Sequence, residues 1–357
     1  MMKLTIVNAT LSHGGAERVI SIIANYLAAK KYDITILTWL DSPIFYKIEN
    51  SVIVYSIEKE CKSSNLFKKM IWFRRYISKH KPDLLLSFLA IFNIVTLISL
   101  LGLGIKIIVC ERNDPRYTPF GKTRRLIRNL VYHLADGILT QTDNNKAYFS
   151  TLLQKKTKVI YNPIFLNIDY IGKALLLPHD KTIISVARLE PQKNQLMLID
   201  AFAEFEKMNP QYNMIILGEG NYRNILEQRI RELGLSEKIY LPGVVYNVFD
   251  YLSKAQFFVL SSNFEGMPNT LLEAMCIGLP CISTKVSGAI DLIEDGKNGF
   301  LVDIGDNHSM AIKMNKIAND IELQKSLGKT ASKLYEQLNV NVICKEWESY
   351  INSMISK

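Results

Sequence analysis

Apolar and polar residues in the first half of the chain alternate as they do in strands followed by helices. The apolar run KLTIVNA lies at 3–9, and the pair Gly14-Gly15 separates it from residues 16–31, which carry apolar side chains at helical spacing. YDITILTW at 32–39 then returns to a strand. Two further apolar runs lie at 83–88 and 105–111. We therefore predict a parallel sheet covered by helices.

The 22 residues between Asp83 and Lys106 carry no charge, which is enough apolar length to cross a bilayer. The stretch contains several polar residues, is bounded by Pro82 and Gly104, and divides into a strand, a buried helix and a turn. We expect it to be part of the core, with a transmembrane helix as the alternative.

The alternation lapses after Pro163, and a mixed stretch that ends at Asp180 leads into a strand at 182–189. Further apolar runs follow at 214–220, 238–243, 257–262, 280–286 and 299–302. We predict an α/β protein of two Rossmann-like domains facing across a cleft, residues 1–165 and 166–357, with the last helix packing back on the first domain. Ligands of such sheets bind beyond the carboxyl ends of the strands.

Composition places the chain among globular proteins. Of 357 residues, 48% are hydrophobic and 22% are charged, which excludes a disordered chain and a small disulfide scaffold. The five cysteines form no Cys-x-x-Cys pair, so we expect reduced, mostly buried thiols. The first residues lack the basic and apolar segments of an export signal, and we expect a cytoplasmic protein.

The net charge of +9 is unevenly distributed. Residues 1–170 hold 24 Lys and Arg against 12 Asp and Glu, whereas residues 171–357 hold 19 against 22. The excess indicates that the first half faces an anionic partner, either nucleic acid or a phospholipid surface.

A basic and aromatic segment at 65–81 favours the phospholipid surface, because a basic amphipathic helix with aromatic side chains is typical of a bilayer interface. Its basic residues include Lys68, Lys69, Arg74 and Arg75, and a second cluster comprises Lys122, Arg124, Arg125 and Arg128. We expect reversible attachment to the inner face of the cell membrane. No nucleic-acid partner is expected, because no recognised module accompanies the charge. The alternative is a helix that covers the sheet with a solvated charged face.

The segment at 261–284 is the most informative for chemistry. A polar loop presents Glu265, and Pro268 marks the start of a helix that Gly278 closes. Helical side chains lean towards the amino terminus, so Glu273 reaches the opening that Glu265 borders. The backbone amides of Met267, Asn269 and Thr270 lie between the two glutamates and can bind an anion at this opening. This arrangement suits a diphosphate flanked by sugar hydroxyls, and the alternative is an ordinary capped helix with two solvated glutamates.

Two cations and a glycine pair complete the candidate chemistry. Arg188 follows a strand and Lys193 precedes the next helix, where they can neutralise a leaving diphosphate; the alternative for Arg188 is a surface ion pair with Glu190. In the first domain, Gly14 and Gly15 allow close backbone approach to a phosphate or sugar, or form a plain tight turn. The chain has no Gly-x-Gly-x-x-Gly, which argues against a nicotinamide site.

Together these segments resemble the retaining glycosyltransferases of family 4, which have the GT-B fold. The matching segments are GGAER at 14–18, Arg188 with Lys193 and Asn194, FEGMPN at 264–269 with Glu273 and Ala274, and DGKNGF at 295–300. The resemblance covers nearly the whole chain, and its specific part is the pair of glutamates eight residues apart. It implies an acceptor-binding first domain and a nucleotide-sugar-binding second domain.

The resemblance also implies residue roles. Arg188 and Lys193 would bind the donor diphosphate, Glu265 would hold hydroxyls of the transferred sugar and Glu273 would hold the ribose. Gly15 would bring its amide to the diphosphate or sugar. Further donor contacts would come from Gly218 and Val244 near the nucleobase and from Gly266, Met267, Pro268, Asn269 and Thr270.

The family transfers sugars without a catalytic metal, and this sequence has no Asp-x-Asp at a strand end, so we expect no metal and no cofactor. No residue stands out as a covalent nucleophile, and attack on the face from which the nucleotide leaves is the favoured hypothesis. Many relatives carry a histidine after the strand that corresponds to 105–111, near the acceptor. Here Glu111 to Pro115 occupy that place, with Arg112 as the nearest match, so the role of the histidine does not transfer.

The stretch at 111–115 resembles bacterial enzymes that extend surface-polysaccharide or glycan units on a polyprenyl diphosphate. We therefore expect transfer of a hexose or N-acetylhexosamine from a UDP-sugar to a lipid-linked or surface-polysaccharide acceptor, with GDP-mannose also open as the donor. The alternatives are a nucleotide-sugar epimerase of similar fold and a non-catalytic basic membrane-binding protein.

Overall fold

The computed structural model describes residues 1–166, 168–175 and 181–356. The chain divides into two compact units, one of Met1–Pro163 with Val340–Lys357 and one of Ile164–Asn339. Of the mixed stretch around the predicted junction, residue 167 and residues 176–180 lie outside the described residues.

The first unit is built on seven parallel strands. The strands are β1 (Lys3–Asn8), β2 (Asp33–Thr38), β3 (Ile53–Ser56), β4 (Leu84–Phe88), β5 (Ile107–Cys110), β6 (Gly137–Thr140) and β7 (Thr157–Val159). The helices are α1 (Gly15–Ala29), α2 (Ile57–Glu60), α3 (Leu66–His80), α4 (Ala90–Ser99), α5 (Lys122–Val131), α6 (Asp143–Ala147) and α7 (Thr151–Gln154), with a 3-10 turn at Tyr132–Leu134. The strand order is β3-β2-β1-β4-β5-β6-β7, so the chain reverses its direction across the sheet between β1 and β4.

The second unit holds six parallel strands. They are β8 (Thr182–Val186), β9 (Asn213–Leu217), β10 (Ile239–Gly243), β11 (Phe257–Leu260), β12 (Cys281–Thr284) and β13 (Phe300–Val302). The helices are α8 (Gln195–Glu206), α9 (Arg223–Glu232), α10 (Val248–Leu252), α11 (Asn269–Cys276), α12 (Ser287–Leu292), α13 (Asn307–Ala318), α14 (Ile321–Ser332) and α15 (Leu334–Leu338), with 3-10 turns at Ile168–Tyr170, Lys173–Leu175 and Pro191–Lys193. The order β10-β9-β8-β11-β12-β13 reverses between β8 and β11.

The last helix, α16 (Val340–Ile355), belongs to the first unit, where it packs on α1 and β4. Tyr26 donates a hydrogen bond of 3.0 Å to Glu348, and Tyr32 donates one of 2.7 Å to Asn352. Trp347 is buried against Phe88, with ring centroids 6.2 Å apart. Apolar burial and side-chain hydrogen bonds therefore both hold α16 on the first sheet.

The uncharged segment after Asp83 forms β4, α4 and a turn before β5, so the predicted division is confirmed. Every residue of β4 and β5 is buried, as in a parallel sheet covered on both faces. Among the residues that the structure describes, no helix is long and apolar enough to cross a bilayer. The expectation of a buried helix is wrong in part, because Ile91 and Ile98 of α4 are 49% and 47% exposed.

All of the predicted strands are present, whereas β3, β6 and β7 were not predicted. β3 and β7 are short edge strands with partly exposed residues, which give little apolar signal. β6 is buried but has only four residues. It begins at Gly137, where a Cβ would lie 2.5 Å from the Tyr350 hydroxyl of α16. The five cysteines are free thiols, four buried and one half-buried, as predicted.

Candidate active site

The reversal between β8 and β11 places the predicted residues of the second unit at one edge of its sheet. β8 and β11 are hydrogen-bonded neighbours, and the segments that follow them leave the sheet at its carboxyl edge. In open parallel sheets this is the place where ligands bind. Arg188 and Lys193 follow β8, and Glu265 follows β11.

Lys193 and Glu265 form an ion pair there. The Lys193 ammonium donates a hydrogen bond to Glu265 Oε1, and the two side chains are 16% and 10% exposed. The Ser262 hydroxyl donates a second hydrogen bond to the same oxygen, at 2.8 Å. A charge-assisted hydrogen bond with little solvent contact is stronger than a surface pair, so the two groups hold each other in place.

The loops that carry this pair are tied together by further hydrogen bonds. Ser261 Oγ donates to the Lys193 carbonyl at 2.8 Å, and Gln192 Nε2 donates to the Phe264 carbonyl at 2.8 Å. Asn194 has a left-handed backbone (φ 47°), a conformation that asparagine tolerates better than most residues. These contacts fix the two loops before any ligand binds.

Helix α11 begins beside the same pair. Pro268 precedes it and has no side-chain oxygen with which to cap the first amides, and Thr270 Oγ1 donates to the Val186 carbonyl at 3.0 Å. This bond ties the helix start to the end of β8. Gly266 and Met267 are buried in the preceding loop, Asn269 opens the helix, and Glu273 is 6% exposed one turn later. The prediction of a helix that Pro268 starts and Gly278 closes is confirmed.

Arg188 is more exposed than Lys193. Its guanidinium pairs with Glu190 at 2.9 Å, and its side chain is 60% exposed. This is the ion pair that the alternative interpretation predicts. A guanidinium has five N–H donors, so the contact with Glu190 leaves donors available for an anion.

Gly218 lies at the end of β9, next to the segment that contains Arg188. Its φ is +133°, and a Cβ on it would lie 2.0 Å from the Ala187 carbonyl oxygen, so only glycine fits. The Gly218 amide donates to the Gly243 carbonyl at 2.9 Å. Val244 follows at once and is 79% exposed. The two residues predicted near a nucleobase are thus neighbours at one edge of the sheet.

In the first unit, Gly15 is the first residue of α1 and is exposed. Gly14 precedes it with an extended backbone, and Glu17 lies in the first turn, where its carboxylate accepts a hydrogen bond of 3.2 Å from Asn8 Nδ2. Asn8 ends β1. Gly15 therefore lies at the carboxyl edge of the first sheet, beside the point between β1 and β4 where the strand order reverses.

Arg112 follows β5 at the same edge of the first sheet. Its Nη2 donates to Asn162 Oδ1 at 2.5 Å, and its guanidinium carbon lies 5.8 Å from the Phe88 ring centroid. Its Nε and Nη1 atoms are buried and have no hydrogen-bond partner among the described residues. Burial lowers the pKa of Arg112 to about 10. A half-buried residue with a partly unsatisfied guanidinium suits an anionic ligand.

Comparison with known proteins matches this geometry to a family. The model of "Glycosyltransferase Family 4" matches residues 13–167 and that of "Glycosyl transferases group 1" matches residues 169–334. A relative from Campylobacter jejuni is 30% identical over 97% of this chain and 97% of its own length. The chain belongs to the family 4 glycosyltransferases. The resemblance seen in the sequence is confirmed, and the protein is an enzyme that transfers sugars.

That relative of the glycosyltransferase is named GalNAc-alpha-(1->4)-GalNAc-alpha-(1->3)-diNAcBac-PP-undecaprenol alpha-1,4-N-acetyl-D-galactosaminyltransferase. A second Campylobacter jejuni protein, N-acetylgalactosamine-N,N'-diacetylbacillosaminyl-diphospho-undecaprenol 4-alpha-N-acetylgalactosaminyltransferase, is 30% identical over 95% of this chain and 97% of its own. Among solved structures, Anabaena HepE in complex with UDP and glucose has a TM-score of 0.81 at 20% identity, covering 99% of this chain and 100% of its own. The predicted GT-B fold is confirmed.

One residue of the glycosyltransferase that sequence reasoning missed is Gly288, in α12. A Cβ there would lie 2.6 Å from Pro268 Cδ and 2.7 Å from both the Gly266 carbonyl oxygen and Met267 Cα. The glycine lets α12 approach the loop between β11 and α11 at backbone distance. A glycine at a helix start looks like an ordinary turn signal, so the sequence alone does not reveal this contact. No cluster of metal-ligating side chains occurs among residues 1–166, 168–175 and 181–356.

Proposed function

We propose that the enzyme transfers a hexose or N-acetylhexosamine from a UDP-sugar, with retention of anomeric configuration, to a lipid-linked or surface-polysaccharide glycan. The names of the two Campylobacter jejuni relatives support the acceptor, because both proteins are named for glycans on undecaprenyl diphosphate. UDP is the nucleotide in the HepE complex, and we take UDP-sugars as the first donors to test, with GDP-mannose next.

The observation that carries this proposal is the ion pair between Lys193 and Glu265 at the reversal point of the second sheet. An ammonium group has three N–H donors, of which one is directed at Glu265, so Lys193 can also bind a diphosphate oxygen. Glu265 receives its hydrogen bonds from Lys193 and Ser262 on Oε1. Its Oε2 can therefore accept one from a sugar hydroxyl.

In the proposed step, the bond between the anomeric carbon and the diphosphate oxygen breaks, and its electron pair leaves with the nucleoside diphosphate. The acceptor hydroxyl forms its bond to the anomeric carbon on the same face, and the hydroxyl proton passes to the departing diphosphate. Lys193 and Arg188 lower the barrier by stabilising the charge that develops on the leaving group. Glu273, one turn into α11, would hold the ribose hydroxyls.

Arg112 is proposed to face the acceptor, because it follows β5 at the carboxyl edge of the first sheet, where a guanidinium can bind an anionic or hydroxyl-rich group. We propose that the residues present suffice without a metal. Cations at the sheet edge and the start of α11 would stabilise the negative charge in its place.

Thermal unfolding with a panel of nucleotide sugars tests the donor. A donor at about a hundred times its Kd adds roughly 2.7 kcal/mol to the free energy of unfolding, so the correct UDP-sugar raises the melting temperature while the GDP-sugars do not. A shift with GDP-mannose alone would replace the nucleotide in the proposal and leave the enzyme class intact.

Incubation of that donor with polyprenyl-diphosphate-linked glycans tests the transfer itself. We expect sugar release from the nucleotide to depend on the acceptor, and nuclear magnetic resonance of the product to show the donor's anomeric configuration. Acceptor-independent formation of a free sugar or epimer would favour the epimerase alternative, and an inverted product would remove the same-face step.

A further inference from the structure

The two helical layers of the first unit differ in charge. Helix α4 contacts both α3 and α5, and these three helices cover one face of the sheet, while α1 and α16 contact each other on the opposite face. Helices α3, α4 and α5 contain nine Lys and Arg and no Asp or Glu, whereas α1 and α16 together contain two Lys and Arg and three Asp and Glu. Much of the positive excess of the first half is therefore on one layer, here called the α3–α5 layer.

Not every cation of this layer is accessible. Lys69 is buried, with its ammonium 2.9 Å from Glu58 and 3.1 Å from the Trp39 carbonyl. Arg128 is also fully buried. The expectation that these two belong to a basic surface is wrong, because the core binds their charged groups. The cations that remain exposed are Lys68, Arg74, Arg75, Lys79, Lys122 and Arg124, with Arg125 half-buried.

Large apolar side chains are exposed among these cations. Phe67 of α3 is 69% exposed, Leu130 of α5 is 63% exposed, and Phe120, just before α5, is 67% exposed. Helix α4, in the middle, has no charged residue at all, and yet two of its isoleucines are exposed. Other exposed apolar residues of the layer and its adjoining turn are Leu66, Ile71, Leu101, Leu126 and Ile127. Exposed apolar side chains gathered on one helical layer are typical of an interaction site.

Three of the cations line one groove. It has a volume of about 470 Å³ and lies between α3 and the turn after α4. Its lining residues are Ile71, Arg74, Arg75, Ser78, Lys79 and Leu103. Arg74 also donates to the carbonyls of Ser99 and Leu101, at 2.8 and 2.9 Å, which fixes it against the end of α4. Clustered guanidinium and ammonium groups beside apolar walls suit a phosphate that carries an acyl chain.

We propose that the α3–α5 layer is the surface by which the enzyme lies on an anionic phospholipid bilayer. The uncharged α4 faces the centre of the contact, its apolar neighbours enter the headgroup region, and the cations of α3 and α5 bind lipid phosphates on either side. Most of the exposed apolar side chains of the layer are leucine and isoleucine, which cannot stack on bases as aromatic side chains do, so the layer favours lipid over nucleic acid. The proposal is independent of the proposed donor and acceptor.

Vesicle sedimentation tests the surface. The full chain is mixed with vesicles of phosphatidylglycerol and phosphatidylcholine, and with phosphatidylcholine alone, at low and high salt. We expect binding to the anionic vesicles at low salt only. The double variant Arg124→Gln, Arg125→Gln should bind roughly 30-fold more weakly, as expected for two surface cations. Leu126→Ser with Leu130→Ser should weaken binding about tenfold through lost apolar contact.

A matched control removes two cations from the opposite layer, Lys30→Gln with Lys345→Gln, and should bind vesicles as the unchanged protein does. Melting temperatures and donor-induced shifts of all variants should match those of the unchanged protein, so loss of binding is separable from failure of folding or of the proposed function. An equal loss in the control variant, undiminished binding of the Arg124 and Arg125 variant, or stronger binding to single-stranded RNA than to vesicles would each overturn the proposal.

Tryptophan fluorescence gives a second readout. Trp39 and Trp347 are fully buried, whereas Trp72 on α3 is partly exposed. Brominated phospholipids should quench the emission of Trp72 when the protein binds, and Trp72→Phe should remove the quenched component. Binding without any quenching would place another face of the molecule on the bilayer and overturn the assignment.

Discussion

Two cations at the carboxyl edges of the two sheets have opposite surroundings. In the second unit, Lys193 donates to Glu265 and both side chains are largely buried. In the first unit, the Arg112 guanidinium donates to the neutral amide of Asn162, two of its nitrogen atoms lack hydrogen-bond partners among the described residues, and burial lowers its pKa to about 10. A desolvated charge without a carboxylate at hydrogen-bond distance costs folding free energy. The comparison indicates a preorganised site in one sheet and an incomplete one, awaiting a ligand, in the other.

Loss of the Lys193 ammonium should have the largest effect. Lys193→Ala is expected to lower kcat roughly a hundredfold or more, because it removes a preorganised donor from the leaving diphosphate. It also leaves Glu265 without its counter-charge, so the melting temperature should fall. The measurement is the initial transfer rate at saturating donor, beside a thermal unfolding curve.

Two variants separate these effects. Lys207→Ala, which removes an exposed lysine at the other end of α8, should leave kcat unchanged. In Lys193→Ala with Glu265→Gln the unpaired charge is gone, so stability should recover while kcat stays low. An unchanged kcat in Lys193→Ala would contradict the electrostatic role proposed for the pair of Lys193 and Glu265.

The sequence predicts the second-unit site better than the first-unit one, for physical reasons. Glu265 and Glu273 stand on a strand, loop and helix whose boundaries are marked by local signals, and Lys193 follows another strand that the reversal of the sheet brings alongside. The burial of Lys69 and Arg128 and the fit of Gly288 depend on packing between elements far apart in the chain. The periodicity of a single helix predicts that Lys69 and Arg128 are surface charges and that Gly288 is a turn residue, because it contains no information about the elements that pack against them.

Replacement of Gly218 should have the next largest effect, and it tests how rigid the second-unit edge is. A Cβ at φ +133° would lie 2.0 Å from the Ala187 carbonyl, so Gly218→Ala is expected to lower the free energy of unfolding by about 2–4 kcal/mol. Urea unfolding of Gly218→Ala and of the unchanged protein measures this difference in the free energy of unfolding. Gly234→Ala is the control, because Gly234 also has a positive φ, +70°, but open space around it, and it should cost only about 1 kcal/mol. Equal costs would show that the loop after β9 adapts freely.

Replacement of Arg112 tests the incomplete site and should act in the opposite direction. Arg112→Met is expected to raise the free energy of unfolding at pH 7 by about 1–3 kcal/mol, because it removes a desolvated charge whose hydrogen bond is to a neutral amide, and to lower the transfer rate. The folded-state pKa of about 10 lies below the ordinary arginine value of 12.5. The free energy of unfolding of the unchanged protein therefore rises as pH increases above 10, because the folded state releases the proton first. The difference in stability between Arg112→Met and the unchanged protein should become smaller there.

Urea unfolding at pH 7 and above pH 10 measures both quantities. Arg116→Met is the matched control, since Arg116 is exposed and pairs with Asp114 at 3.3 Å, and it should bring no gain. A less stable Arg112→Met at pH 7 would mean that the guanidinium is satisfied in the free protein, and the contrast between the two sheets would disappear.

The smallest expected effect concerns Lys69, a buried cation of the first unit whose ammonium pairs with the Glu58 carboxylate at 2.9 Å. Its hydrogen bond lowers the pKa of Glu58 below 4.5, so Glu58→Gln should destabilise the protein at neutral pH. The stability that the ionised carboxylate contributes is present above its unfolded pKa and is lost as pH falls through the lower folded value. Urea unfolding should thus show a lower free energy of unfolding for Glu58→Gln than for the unchanged protein at pH 7, and this difference should close well below pH 4.5.

The control is Glu49→Gln, at an exposed pair with Lys47, which should unfold like the unchanged protein at either pH. If Glu58→Gln matched the unchanged protein at pH 7, a counter-charge would not be what makes a buried cation tolerable in this unit, and the special status of Arg112 would lose its basis.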